Sequence, residues 1–191
     1  MTERLARGYM VQSCMDYVSS LEPGLRDRVF ARVPADVGRD PARYDKMLWY
    51  PVSHVSSFYE AIAAETDGSE AAVLASLQAC GRAMAHTATN SFLRLLMRIM
   101  NPSTFAKKLG DFWKRDHNCG QMVGDVSQIA NKKLIVRLSD IAGYTHTSAI
   151  ASGFGSFALE AMGMKNVTPV LTGWSLQTPA PESATIELTW S

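Results

Sequence analysis

From Tyr9 to Leu21 the apolar positions Met10, Val11, Cys14, Met15, Val18 and Leu21 fall three and four apart, the spacing that gathers side chains on one face of a helix. Pro23 and Gly24 break that pattern, and "LRDRVFARV" predicts a second short helix ended by Pro34. The stretch "PADVGRDPARYD", with two prolines, a glycine and three aspartates, reads as a surface connection. Next comes "WYPVSHVSSFYEAIAAE". Pro51 suits the first turn of a helix, where its missing N–H has no intrahelical partner, and Val52, Val55, Phe58, Tyr59 and Ile62 extend an apolar stripe, so "WYP" is expected to open a helix. Ser69 and Glu70 are an N-cap and a dipole-compatible first residue for another helix, Glu70 to about Thr87. Its many alanines and Gly81 let neighbouring helices approach closely, which predicts the most buried helix of the chain. "NSFLRLLMRIM" and, after Asn101 and Pro102, "STFAKKLGDFWKRDHN" complete a helical part ending near Asn118.

Beyond Asn118 the period changes. "GQMVGDVSQ" and "KLIVRLSD" are short β-branched runs joined by "IANK", and "NVTPVLTGW" and "ATIELTW" alternate as two further strands. Between the pairs, "THTSAIASGFGSFALEAMGM" returns to helical spacing, with Gly163 where a left-handed C-cap would sit. The predicted order is helices followed by β-β-α-β-β. This is an α+β fold in which an N-terminal helical half, 1–118, packs on a C-terminal four-stranded antiparallel sheet, 119–191, as one domain over 1–191.

Composition narrows the function classes more than it names one. The 191 residues are 47% hydrophobic and 19% charged, enough to bury a continuous apolar interior. A formal net charge of +1 supplies no bulk attraction for nucleic acid or an anionic surface, so no nucleic-acid partner is expected. Cys14, Cys80 and Cys119 are odd in number and widely spaced, which argues against a disulfide framework or a zinc knuckle and fits a reducing cytoplasm. No apolar run approaches a membrane span, and the N-terminus lacks the apolar core of a secretory signal.

Candidate chemistry is sparse. His54, His86, His117 and His146 lie in separate segments without metal-ligand spacing, so no metal site is expected. "RDHNCG" places His117 near Cys119, a superficial match to an activated thiol, but the stretch also serves as a helix-to-strand junction. "GFGSF" lacks the Gly-Lys-Ser/Thr of a phosphate loop, and the residue three beyond Gly155 is Ala158, so the small residues are read as helix-to-sheet packing. Arg94, Arg98, Lys107, Lys108, Lys114 and Arg115 form the densest basic region, interleaved with Asp111 and Asp116 as a solvated face would be. Ten methionines give an adaptable apolar inventory suited to a core or to the wall of an apolar pocket.

The segments "RGYMVQSCMDYV", "WYPVSHVSSFYEAI", "NPSTFAKKLGDFWKRDHNCGQM", "GFGSFALEAMGMKNVTPVLT" and "IELTW" resemble the DUF2378 family of myxobacterial paralogous proteins. That family looks like a branch of the group holding 4-vinyl reductase-type (V4R-like), haem-nitric-oxide-binding-like and Bet3-type transport domains. The resemblance implies helices on a four-stranded antiparallel sheet, frequent dimerisation, and an apolar pocket that takes haem, an acyl chain or another small ligand in different members. Two departures matter. "NSFLRLLMRIMNP" carries no histidine where haem-nitric-oxide sensors present one before the proline, and no Tyr-x-Ser-x-Arg follows. The C-terminal cysteine pair of many vinyl-reductase-type domains is also missing.

These readings together lead to a non-enzymatic domain for small-molecule sensing or protein interaction in intracellular signalling, without catalytic residues and with an unassigned cofactor. Trp49, Tyr50, His54, Phe58 and Phe154 are the candidates for a ligand pocket or an interface, with an apolar small molecule, a protein partner or a second copy as occupant. The alternatives are a haem or tetrapyrrole sensor using an atypical ligand such as His54, His86 or His146, and a thiol-dependent enzyme using Cys119 and His117.

Overall fold

The computed structural model describes residues 3–88 and 100–191. The helix expected over 90–100 falls almost wholly outside these residues. Extended backbone comes first: β1 (Leu5–Arg7) pairs antiparallel with β2 (Trp49–Pro51), Ala6 opposite Tyr50. The expectation that "WYP" opens a helix is therefore corrected. Proline disfavours helical backbone in the residue before it, and the aromatic pair suits a strand, so Trp49 and Tyr50 extend to pair with β1. Helix α3 (Val52–Glu65) begins one residue later, with Pro51 as its N-cap. The helical half thus contains a two-stranded ribbon.

The remaining helices fall close to the expected ones: α1 (Gly8–Ser19), α2 (Pro23–Arg32), α4 (Glu70–Ala88), α5 (Pro102–Asp116) and α6 (Thr147–Ala161). Each start has a local cause. The Glu22 carboxylate accepts from the N–H groups of Gly24 and Leu25 to cap α2, and Asn101 Oδ1 accepts from Thr104 N at 2.9 Å to cap α5, with Pro102 in its first turn. Gly163, at φ 92°, takes the left-handed position just past α6.

Strands β3 (Gln121–Asp125), β4 (Lys133–Ser139), β5 (Thr168–Thr172) and β6 (Ser183–Thr189) form an antiparallel sheet in the order β3-β4-β6-β5. The β3–β4 link makes a 3-10 turn over Ile129–Asn131, with Lys132 left-handed. Leu134, Val136 and Leu138 of β4 stand opposite Leu188, Ile186 and Ala184 of β6, and all six are buried on the helix-facing side. One cluster of buried side chains runs from this face through α1, α3 and α4, so the helices lie on the sheet with a shared interior, as the α+β reading expects.

Helix α4 crosses α6 at backbone distance. A Cβ added to Gly81 would lie 2.0 Å from the Ile150 carbonyl oxygen, and one added to Gly153 would lie 2.0 Å from that of Gln78. Only hydrogen fits at either place. Gln78 Nε2 donates to Ser152 Oγ at 3.0 Å, and Arg82 forks onto Glu160 beside the crossing. The small residues of "GFGSF" divide their roles: Gly153 admits α4, while Gly155 faces Leu188 of the sheet.

Gly153→Ala is expected to lower stability by about 3 kcal/mol, because the clash is with fixed backbone. Gly155→Ala should be nearly neutral, since its Cβ meets only a Leu188 methyl at 2.9 Å and gains about 1 kcal/mol of helix propensity. Urea denaturation of both variants checks this, and equal losses would refute the account of the crossing.

Candidate functional site

Helix α5 is the most strongly amphipathic of the described helices: Phe105, Leu109, Phe112 and Trp113 fall on one side, with Lys107, Lys108 and Lys114 outside. It lies close on β3, where a Cβ at Gly124 would come within 2.5 Å of the Ala106 carbonyl oxygen. Helix α6 presents Ile150, Ala151 and Phe154 toward the same interior. Between α5, α6, the sheet and the inner residues of α1, α3 and α4 lies a cavity of about 200 Å³. Its walls are apolar: Met10, Met84, Met100, Met122, Phe105, Phe112, Trp113, Phe154, Val136, Ile186 and Leu188 all face it.

One corner is polar. Arg115 holds Asp116 through two hydrogen bonds of 2.7 Å, and Tyr9 stands against the pair. Burial, reinforced by the Asp116 carboxylate, pushes the Tyr9 phenol well above its ordinary value, so it stays a neutral donor. His117 is buried with its ring stacked on Trp113, centroids 3.9 Å apart. Its Nδ1 lies 3.2 Å from the Trp113 carbonyl oxygen, which can only accept, so Nδ1 carries the proton. Nε2 is then left to accept from the Tyr144 hydroxyl at 3.3 Å. Burial pushes the His117 pKa down to about 4, and the imidazole is neutral.

Of the residues singled out by sequence, Phe154 lines this cavity. The others gather elsewhere. Trp49 lies on the surface under the Arg7 guanidinium, 3.8 Å from its centroid; the Tyr50 hydroxyl accepts from Asp45 N; His54 Nδ1 meets the Tyr44 hydroxyl at 3.0 Å; and Phe58 is fully buried, edge-on to Phe30. Trp49, Tyr50 and His54 thus anchor the ribbon and the start of α3. His86 packs against Phe157, and His146, whose Nδ1 accepts from Trp174 Nε1 at 3.2 Å, sits ahead of α6; neither faces the cavity. Cys119 is half-buried and burial pushes its thiol up, the reverse of an activated nucleophile. In the basic region Lys108 pairs with Asp111 as on a solvated face, whereas Arg115 pairs with the buried Asp116 at the cavity corner; Arg94 and Arg98 lie outside the described residues. Sequence reading missed Tyr9, Phe112, Trp113 and His117 as cavity residues. The α5 periodicity was the available signal, but it marks an inward face without showing that a void lies under it.

The arrangement defines a class of fold, an α-helical layer on a four-stranded antiparallel sheet with a cavity between, and that fold is the H-NOX fold. An H-NOX protein from S. oneidensis in the Fe(II)NO ligation state matches with a TM-score of 0.65 over 97% of this chain and 99% of that one, at 11% identity. An oxygen-binding H-NOX domain related to soluble guanylate cyclases gives 0.60 over 96% and 92%, at 10% identity. A variant of the T. Tengcongensis H-NOX gives 0.62 over 97% of each chain, at 10% identity. No family model matches the chain, the DUF2378 family included, and no curated protein matches it significantly.

The cavity residues do not fit a haem at the cavity's present size. About 200 Å³ is below the roughly 300–1,000 Å³ of pockets for drug-sized ligands. Among the described residues His117 is the one histidine on its wall, with both nitrogens engaged, and Arg115, the one cation there, is committed to Asp116. Among the described residues no three His, Cys, Asp or Glu side chains form a metal site.

Neutral burial of His117 and of His146, whose pKa is likewise pushed down to about 4, makes stability depend on pH. Both are neutral in either state above the ordinary histidine value of about 6.5; below it only the unfolded chain takes up the protons, so stability falls as pH drops from 6.5 toward 4. The slope is at most about 1.4 kcal/mol per pH unit for each histidine. His117→Gln should flatten it by about half between pH 6.5 and 4.5 in urea titrations.

Proposed function

We propose that this chain is a small-molecule-sensing domain whose ligand is an apolar molecule taken into the cavity between α5, α6 and the sheet. The single observation that carries this is the composition of that cavity: aromatic and methionine walls with one polar corner, where Tyr9 and the Arg115–Asp116 pair stand ready for a single polar group on the ligand. Methionines on four sides make the walls adaptable in shape. In this reading the domain is non-enzymatic. A protein partner or a second copy in the cytoplasm is the proposed receiver of the signal. Trp49, half-exposed on the ribbon beside Met47 and Leu48, belongs to the proposed contact surface rather than to the pocket.

A second reading, a tetrapyrrole sensor with an atypical ligand, is favoured by the likeness to proteins described in Fe(II) and oxygen-bound states. The cavity has to widen for it, and His117 replaces His54, His86 and His146 as the candidate on the wall. One experiment separates the two. Indole, a single fused ring pair with one N–H, is expected to bind one per chain in calorimetric titration and to be excluded by Ala151→Phe, which fills the cavity. Undiminished binding to Ala151→Phe overturns the cavity reading. Haemin added to the same protein should leave its Soret band unshifted if the first reading holds; a shifted band lost in His117→Gln establishes the second.

A further inference from the structure

Three sulfurs meet behind the cavity wall. Cys14 of α1 and Met84 of α4 bring Sγ and Sδ to 3.8 Å, and Cys80, fully buried beside Cys14, lies one helical turn before Met84 on the same face of α4. Cys14 and Cys80 are fully buried and Met84 is 4% exposed. The Tyr59 hydroxyl joins the group by donating to Met84 Sδ at 3.6 Å. We infer that Cys14, Cys80 and Met84 form a binding site for a soft monovalent metal ion, Cu(I).

The geometry fits such an ion. Across the 3.8 Å between Cys14 Sγ and Met84 Sδ one ion reaches both sulfurs at an ordinary metal–sulfur distance of about 2.3 Å, and Cys80, on the Met84 face of α4, supplies the third. The donor set selects the ion by softness: two thiolates and a thioether suit Cu(I). Among the described residues no third His, Cys, Asp or Glu joins the two cysteines, so Zn(II) and harder ions find none of the imidazole or carboxylate ligands that would complete their coordination. Access is provided by the cavity, because Met84 and Tyr59 both line it and the two thiols lie behind them. Burial pushes the Cys80 thiol up, so without a metal it stays protonated. On binding, one Cu(I) enters and two protons leave. The resulting site carries one negative charge, which the Tyr59 hydroxyl faces as a hydrogen-bond donor, and no electron is transferred.

The test is an anaerobic titration of the full chain with Cu(I) in competition with bathocuproine disulfonate, read together with X-ray absorption at the copper edge. One copper per chain, three sulfur neighbours, and affinity that rises with pH by two protons per ion are expected. Cys14→Ser should lose the ion and Cys119→Ser should keep it. Should Cys14→Ser fail to fold, Met84→Leu, which conserves volume, should reduce the shell to two sulfurs and weaken binding. The inference is overturned if the chelator retains all the copper, if Cys119→Ser abolishes binding, if nitrogen or oxygen dominates the shell, or if Met84→Leu leaves it unchanged. The titration is run without added apolar ligand, so the site stands or falls whether or not the cavity proves to be a ligand pocket.

Discussion

The backbone-to-backbone crossing of α4 and α6 is the constraint on which the rest of the molecule depends. Gly81 and Gly153 act reciprocally: each removes the side chain that would strike the other helix's carbonyl. Because the contact is between backbones, it fixes the separation of the two helices more tightly than interlocking side chains could, since a packed interior resists even small changes in volume. Ile150 shows the consequence. Its carbonyl touches the Gly81 position while its side chain faces the cavity, so the distance at the crossing sets where one wall of the cavity stands. Phe154, between Gly153 and Gly155, is placed by the same contact, with α4 on one side and the sheet on the other.

A second tie joins the chain's beginning to the edge of the sheet. Asn118 Oδ1 accepts from Leu5 N and its Nδ2 donates to the Glu3 carbonyl, while Asn118 N donates to the Leu5 carbonyl. Arg4 reaches on to the Asp140 carbonyl at 3.0 Å. These bonds satisfy the end of α5 and the outer side of β1 together. They also hold Asp116, two residues before Asn118, against Tyr9 of α1. The polar corner of the cavity therefore owes its position to backbone accounting at a helix end.

Much of this frame was legible in the sequence. The 3.6-residue period of α1 and α5, the Asn101–Pro102 start, the alternation in β4 and β6 and the left-handed Gly163 are local signals, and local physics kept them. Trp49–Pro51 was misread because its partner, Leu5–Arg7, lies far away in sequence, and pairing of that kind leaves only the weak trace of an aromatic pair before proline. The site was less legible for a related reason. Aromatic side chains clustered in sequence, such as Trp49 and Tyr50, drew attention, whereas the cavity is assembled from one or two residues of each of several elements. Burial looks the same in a sequence whether a side chain packs against another or against a void.

The H-NOX fold and the ligand have to be argued separately, since one frame hosts different chemistry according to what lines it. Here the wall of the cavity carries methionines and a neutral, fully engaged His117. Taken with the two proposals, Met84 and Tyr59 acquire a particular importance: their outer sides face the apolar cavity and their polar ends face the sulfur group. An apolar ligand that moves the Met84 side chain changes the geometry of the three sulfurs, and an ion that fixes Met84 removes some of the freedom by which the wall adapts. Coupling of that kind is reciprocal, so each occupant must alter the affinity for the other by the same factor. The physical link is a single thioether, close enough to both sites that no rearrangement of the fold is required to carry it.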